Sequence, residues 1–154
     1  MLDQLTALLP WAHAGSTWFM VGLIWFVQIV HYPLMGSVPP EASPAYAGAH
    51  QRRTTWVVGP VMLLEAGTAM LLVLTPHTEA IGLPWAWIGL ALLALCWAST
   101  FMVQVPLHAR LALGFDPNSW RRLVATNWLR TIAWSGRGII ALVMLNSWHV
   151  PDAR

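Results

Sequence analysis

Residues 83–107 read LPWAWIGLALLALCWASTFMVQVPL, a long apolar run without a single charged side chain. A helix needs about 20 apolar residues to cross the ~30 Å hydrocarbon core of a bilayer, and this run is long enough. Three further apolar segments lie at roughly 9–35, 54–75 and 122–148. We therefore predict an all-α integral membrane protein, in which residues 1–154 form one domain built as an up-down bundle of four spanning helices.

The composition agrees with a surface that faces lipid. Of the 154 residues, 57% are hydrophobic and only 9% are charged, whereas a soluble domain normally carries about 25% charged residues. The lipid bilayer is therefore the first predicted partner, and no nucleic-acid partner is expected. The start, MLDQLTALLP, has no basic region before its apolar run, so we expect no cleaved signal peptide. Cys96 lies inside the third segment, where a small buried side chain is expected.

The arginines near the segment ends predict how the chain is oriented. Arg154 is the only cation near one side, together with the acidic residues Asp3 and Glu79. Because Arg-rich loops stay in the cytoplasm, we predict a bacterial inner membrane protein with both termini in the periplasm. The connections after the first and third segments hold the remaining arginines outside the spans: Arg52, Arg53, Arg110, Arg121 and Arg122.

Turn and capping residues mark the segment ends. The stretch SVPPEASPAYAG (37–48) is rich in Pro, Gly and Ser and predicts a connector. Gly114 is placed as a helix C-cap, and Asp116-Pro117 predicts an N-cap followed by proline at the first helical position. The fourth helix should therefore begin outside the membrane and enter it near Leu123.

Two similar stretches raise the hypothesis of an internal repeat. FVQIVHYPL (26–34) and MVQVPLH (102–108) share an apolar–Gln–apolar core with a His and a Pro close behind it. An arginine pair, a Trp and another apolar segment follow each of them. The chain would then consist of two tandem helical hairpins related by an axis along the membrane normal.

Each apolar segment carries a line of polar residues along one helical face. A helix turns about 100° per residue, so residues roughly 3, 4, 7 or 11 apart share a face. Ionisable groups cost on the order of 2.5–3.5 kcal/mol at the centre of a span, so we predict that these faces turn toward one another. The lines are His13, Thr17, Gln28 and His31; His50, Thr54, Glu65 and Thr68; Trp97, Thr100, Gln104 and His108; Asn127, Arg130, Trp134 and Arg137.

Three histidines of these lines fall near the predicted cytoplasmic boundary. Imidazole is a frequent ligand of iron, copper and zinc, so we predict that His31, His50 and His108 bind a metal ion or haem with a redox role. For each histidine, the alternative is an amphipathic side chain whose tip reaches water. The predicted cofactor-binding residues around them are Gln28, Gln104, Arg53, Arg130, Asn127 and Trp134.

Glu65 and Arg137 fall at matching depths near the middle of their segments. An unpaired charge at that depth would be costly, so we predict that the two side chains pair directly or through water. The pair would either fix the helix register or act as catalytic residues that close the site from the middle of the membrane.

Two other functions fit the same residues, and whether the chain is an enzyme stays open. A pocket of Trp97, Trp134, Tyr46 and methionines could hold a quinone-like or aromatic lipid-soluble substrate for an oxidoreductase or isomerase. Alternatively, the chain could be a non-catalytic accessory subunit, because its Trp, Ala and Gly residues suit helix packing in a larger membrane complex or a homo-oligomer.

The motifs HYPL, Tyr46-x-x-x-His50-x-x-Arg53, VVGPVMLLE, QVPLH, GFD and TNWLRTxxW cover nearly the whole chain. Together they resemble a family of uncharacterised bacterial four-span integral membrane proteins. A looser similarity, in size and number of spans only, is to anthrone-oxygenase-like membrane proteins, and it implies oxidation of an aromatic substrate. The first resemblance implies these site positions: His31, Tyr46, His50, Arg53, Glu65, Gln104, His108, Asn127, Arg130 and Arg137.

Overall fold

A computed structural model describes the backbone of residues 2–74 and 83–148 and the side chains of residues 6–74 and 83–148. All regular elements within these residues are helical, which confirms the all-α prediction. They form four rods, numbered in chain order. Rod 1 is α1 (Leu2–Phe26), a π-helical turn (Val27–His31) and α2 (Tyr32–Met35); rod 2 is α3 (Ser43–Leu74); rod 3 is α4 (Leu83–Ser99), a π-helical turn (Thr100–Gln104) and α5 (Val105–Leu113); rod 4 is α6 (Pro117–Trp148).

Three of the rods contain helices that are long and apolar enough to cross a membrane. They are Thr6–Met35, Ser43–Leu74 and Leu83–Leu113. Rod 4 has the same length as rod 2, 32 residues, but four arginines lower its apolar character. A lipid environment is thus supported for three helices, and the fourth span stays a prediction.

The rods form a closed ring in which each packs against two neighbours. Rod 1 lies along rods 2 and 4, and rod 3 completes the ring between the same two rods. Apolar side chains such as Leu63, Leu74 and Ile132 remain exposed on the outside, where lipid tails would be a suitable solvent. The centre holds a cluster that includes Cys96, which is fully buried as predicted, and Trp134.

Rods 1 and 3 each contain a π-helical turn at the two similar stretches of sequence. Pro33 follows the first turn and Pro106 follows the second. Proline lacks the N–H of a helical hydrogen bond, and its ring crowds the carbonyl group four residues earlier. A wider π-helical turn accommodates this conflict locally. Each turn also contains one buried glutamine, Gln28 or Gln104, so the two stretches share a backbone distortion as well as a sequence.

The caps between rods 3 and 4 lie where the sequence predicts them. Asp116 accepts hydrogen bonds from the backbone N–H groups of Asn118 at 3.1 Å and Ser119 at 3.0 Å. Hydrogen bonds from Ser119 and Asn118 hold the pKa of the Asp116 carboxyl below its usual value of 3.8. Pro117 is the first residue of α6, and Gly114 is the C-cap of α5.

The predicted connector after rod 1 was too long. The structure begins α3 at Ser43, so residues 43–48 belong to rod 2 and the helix starts well before residue 54. The physical reason is that Pro44 occupies the first helical turn, where a missing N–H leaves no hydrogen bond unmade. Proline therefore marks a helix start here, whereas the sequence analysis took it as part of a loop.

The two connections flanked by arginines lie at the same end of the bundle, which we call the arginine end. Gly36 approaches the indole of Trp120, and Trp120 Nε1 donates a hydrogen bond to the carbonyl oxygen of Tyr32 at 2.8 Å. The side chain of Asp3 and residues His77, Glu79, His149 and Arg154 lie outside the described residues. The orientation therefore rests on five exposed arginines: Arg52, Arg53, Arg110, Arg121 and Arg122.

Candidate functional site

The three predicted histidines meet near the arginine end of the bundle. The ring centroids of His31 and His50 are 4.1 Å apart, with ring planes 24° from parallel, so the two rings stack. The ring centroids of His50 and His108 are 5.2 Å apart. The three residues come from rods 1, 2 and 3, so their predicted convergence is confirmed.

The stacked imidazoles are not arranged as a metal chelate. Within residues 6–74 and 83–148, no group of three His, Cys, Asp or Glu side chains is placed to hold a metal ion. His31 and His50 lie face to face, whereas the ligands of a bound metal surround a common centre. Nδ1 of His50 also lies 3.1 Å from Thr54 Oγ1. Metal or haem binding therefore stays a prediction, and it would require the rings to rotate.

Tyr32 connects the histidines to rod 4, although the sequence analysis did not select it as a site residue. Its hydroxyl oxygen lies 2.9 Å from His108 Nε2 and accepts a hydrogen bond from Arg130 Nη2 at 3.3 Å. Arginine only donates, so the hydroxyl hydrogen is free to point at Nε2 of His108. The contact is a hydrogen bond in either tautomer of His108: Nε2 accepts from the hydroxyl when the ring hydrogen is on Nδ1 and donates to it when the hydrogen is on Nε2.

Arg130 is held by oxygen atoms of neutral side chains. Its Nε donates to Asn127 Oδ1 at 3.0 Å, its Nη2 donates to the same oxygen, and its Nη1 donates to Thr100 Oγ1 at 3.1 Å. Asn127 Nδ2 in turn donates to Gln28 Oε1 at 2.8 Å. Only 8% of Arg130 is exposed. A single polar network around a buried cation therefore joins rods 1, 3 and 4.

A cavity of about 370 Å³ lies beside this network. Most of its wall is apolar, with side chains from all four rods that include Ile24, Val58, Met62, Phe101 and Trp134. Most of the polar lining residues belong to the network or to the histidine cluster. All of the polar lining residues are Tyr32, His50, Gln51, Thr54, Thr55, Thr100, Gln104, His108 and Arg130.

The cavity reaches the outer surface of the bundle between rods 2 and 3. Leu63 of rod 2 and Phe101 of rod 3 line it and are 66% and 58% exposed. Val105, also on rod 3, lines it and is 39% exposed. Because these rim residues are apolar, the opening faces the region in which lipid tails would lie.

Glu65 and Arg137 form the predicted ion pair. Nε and Nη2 of Arg137 lie 3.0 Å and 2.9 Å from Glu65 Oε1, and the side chains are 1% or less exposed. Trp134 Nε1 donates to Glu65 Oε2 at 3.0 Å, and Arg137 Nη1 donates to the carbonyl oxygen of Gly89. Neither charged residue lines the large cavity. The geometry thus favours a role in joining rods 2, 3 and 4, and a catalytic role stays a prediction.

The other predicted site residues divide between the cavity, the network and the surface. Trp97, Gln104 and Trp134 line the cavity, whereas Gln28 and Asn127 support Arg130 from behind.

Two of the predicted positions lie nearer the surface. Arg53 is exposed and does not line the cavity. Tyr46 is 37% exposed, and its ring stacks on His31 with centroids 6.0 Å apart. Tyr46 therefore borders the histidine cluster from outside, and Arg53 lies away from the cavity.

No family model, no curated protein and no solved structure matches this chain.

Proposed function

We propose that this protein is an integral membrane protein that binds a lipid-soluble molecule with a polar, quinone-like ring in the cavity between rods 2 and 3. The cavity itself carries the proposal. Its volume of about 370 Å³ falls in the range of about 300–1,000 Å³ found for small-molecule sites, which are mostly apolar with a few polar groups. Here the polar groups gather where Tyr32, His108 and Arg130 meet.

The arrangement suits a molecule that arrives from the bilayer. A hydrophobic ring or tail would pass the apolar rim of Leu63 and Phe101 without entering water. Its ring oxygen atoms would then meet the N–H and O–H groups of His108, Tyr32 and Arg130. An oxidoreductase or isomerase reaction on such a substrate would use the imidazole or phenol groups to donate or accept protons.

The same proposal places the protein in a bacterial inner membrane, with rod 4 as a fourth span and the arginine end in the cytoplasm. Support comes from the burial of Arg130 and Arg137, whose charges lie inside the bundle rather than against lipid. Alkaline phosphatase fused to the C-terminus should be active, because that end is expected in the periplasm. A fluorescent cytoplasmic reporter at the C-terminus would overturn this orientation.

Two glycines of rod 2 offer a matched test of the cavity. Gly59 lines the cavity, and a Cβ added there would meet no heavy atom within 4 Å. Gly67 is equally unobstructed but exposed and outside the cavity. Gly59→Phe should therefore fill the cavity, whereas Gly67→Phe should project from the bundle and serve as the control.

Binding is measured with decylbenzoquinone and protein in nanodiscs, with empty nanodiscs as the blank. Occupancy is the part of the tryptophan quenching that Gly59→Phe removes, because Trp97 and Trp134 line the cavity whereas exposed tryptophans such as Trp56 are quenched alike in all three proteins. Wild type and Gly67→Phe should bind alike, and Gly59→Phe should bind about tenfold more weakly or not at all, a loss of about 1.4 kcal/mol or more. Equal binding by all three proteins, or no binding by wild type, would overturn the proposal.

A metal ion or haem is the second candidate, because imidazoles from three rods lie close together. The ring centroid of His50 is 4.1 Å from that of His31 and 5.2 Å from that of His108. The test is an absorption spectrum with metal analysis of the detergent-purified protein. A metal-dependent absorption that disappears in the His50→Ala, His108→Ala variant would support this candidate. A colourless and metal-free preparation after growth with iron, copper and zinc would remove it.

A further inference from the structure

The buried charges of the described residues do not balance. Only three acidic side chains are described: Glu41, Glu65 and Asp116. Glu65 is paired with Arg137, and the other two are exposed in the connections between rods. Two buried arginines thus share one buried carboxylate, and that carboxylate is held by the arginine that is farther from the cavity.

Arg130 is the cation left without a counter-ion among the described side chains. Its four hydrogen bonds go to Asn127, Thr100 and Tyr32, none of which is charged. The guanidinium group cannot lose its proton in a protein, and a buried charge without a partner is strongly destabilising. Neutral oxygens and the face of the Trp134 ring, 6.0 Å from Arg130 Cζ, reduce this cost without cancelling the charge.

The uncompensated charge lies at the cavity and is held in a fixed position. Arg130 lines the cavity together with Thr100 and His108. Asn127 accepts two of its hydrogen bonds and is itself bonded to Gln28, so the guanidinium plane is positioned from rods 1 and 4. A fixed cation at the polar end of an otherwise apolar cavity is a complementary site for an amphipathic anion.

We propose that the ligand of the cavity carries an acidic head group whose negative charge binds Arg130. The head group is an ionised oxygen on an aromatic or quinonoid ring, or a carboxylate, and the apolar walls hold the ring or chain behind it. This inference rests on the proposed function and narrows the ligand from any polar-ringed lipid to a lipid-soluble weak acid. Binding places the anion against Arg130 and restores the charge balance of the buried residues.

Pairs of probes that share a ring or chain but differ in the charge of the head group provide the test. The first pair is a 2-hydroxy-3-alkyl-1,4-naphthoquinone, which is anionic at neutral pH, and its neutral 2-methoxy counterpart. The second pair is palmitate and hexadecanol. Dissociation constants are measured in nanodiscs for wild type, Arg130→Gln, Arg130→Lys and the exposed control Arg122→Gln.

Wild type and Arg122→Gln should bind the anion of at least one pair about tenfold or more tightly than its neutral partner. Arg130→Gln should lose this preference, and Arg130→Lys should keep part of it because the charge remains. A preference confined to the naphthoquinones assigns a ring oxygen, and one confined to palmitate assigns a carboxylate.

The outcomes separate this inference from the proposed function. If wild type binds both members of each pair equally, the acidic head is refuted while the lipid-soluble ligand stands. If wild type binds none of the four probes and no quinone, both fail. Even where Arg130→Gln does not fold, the comparison of probes on wild type alone decides whether the cavity prefers an acidic head group.

Discussion

The hydroxyl oxygen of Tyr32 lies 2.9 Å from Nε2 of His108, and Arg130 donates a hydrogen bond to that same oxygen. One hydroxyl group thereby joins side chains of rods 1, 3 and 4. Tyr32 is only 3% exposed, so these hydrogen bonds are made inside the bundle. Without the hydroxyl, both partners would be left with a buried polar atom that has lost a hydrogen bond.

Replacing this hydroxyl should therefore destabilise the fold. We expect Tyr32→Phe to lower the free energy of unfolding by about 1–3 kcal/mol, because a buried donor of Arg130 and the ring nitrogen Nε2 of His108 lose their partner. Tyr46→Phe, at a residue that is 37% exposed, is the control and should change stability by about 0.5 kcal/mol or less. Denaturant unfolding in micelles, followed by circular dichroism, measures both. Equal effects of the two substitutions would contradict the assigned role.

The ion pair between Glu65 and Arg137 should show strong coupling. Glu65→Gln or Arg137→Gln alone should cost about 3–5 kcal/mol, because each leaves the other charge buried without a partner. The double variant Glu65→Gln, Arg137→Gln should cost much less than the sum of the two single changes. A double-mutant cycle of unfolding free energies measures the coupling. Simple additivity would show that the pair does not act as a unit.

Gly36 should tolerate no side chain, because a Cβ at this position would overlap the indole of Trp120. Its φ of −69° is ordinary, so the conflict is steric and not conformational. We expect Gly36→Ala to cost about 1–3 kcal/mol through overpacking. Gly22→Ala, where a Cβ meets nothing within 4 Å, should be neutral or stabilise the helix by up to about 1 kcal/mol. Thermal unfolding of the two variants decides between these expectations.

The N-cap of rod 4 should make stability depend on pH in acid. The pKa of Asp116 is lowered from 3.8 by its hydrogen bonds to Ser119 and Asn118, so the ionised cap stabilises the folded state above about pH 4. This contribution is lost as the pH falls through the lowered pKa. The difference in Tm between wild type and Asp116→Ala should therefore shrink between about pH 6 and pH 3. Asp116→Asn keeps an oxygen acceptor without the charge and should remove most of this pH dependence; a pH-independent difference between wild type and Asp116→Ala would contradict the cap.

Helical periodicity was sufficient to predict several contacts between rods. Buried polar groups must find partners, so residues on the polar faces had to meet inside the bundle. Glu65 and Arg137, separated by 72 positions, form the pair expected from their equal depth. The cap at Asp116 was predictable for a different reason, since its hydrogen bonds are made within a few residues of chain.

Periodicity on rod 1 missed one inward residue, Tyr32. Counting 18 residues from His13 reaches His31, but the π-helical turn Val27–His31 holds one additional residue. Tyr32 therefore takes the inward position and is 3% exposed, whereas His31 is only half-buried. The nearby Pro33 was the available signal for this break in periodicity.

Of the pocket predicted from Trp97, Trp134, Tyr46 and methionines, the two tryptophans, Met20 and Met62 line the cavity and Tyr46 does not, but the size of the cavity could not have been predicted from the sequence. Its volume depends on how closely rods 2 and 3 approach one another, which is a property of tertiary packing and not of a local pattern. Gly59 and Thr55 line it without any distinguishing feature in their neighbourhood. The unbalanced charge of Arg130 likewise became visible only once Glu65 was found with Arg137.

The two π-helical turns also determine where the chain tolerates a change in length. Deleting one residue from an ordinary stretch of α1 would rotate everything after it by about 100° and turn its inward groups toward lipid. Deleting Val30, which is 39% exposed, would instead let Val27–His31 close into a standard α-helical turn, and its cost would be the crowding of the Pro33 ring against the preceding turn rather than a rotation of the rod. The flanking parts of rod 1 would keep their relative rotation, and Thr100–Gln104 offers rod 3 the same tolerance.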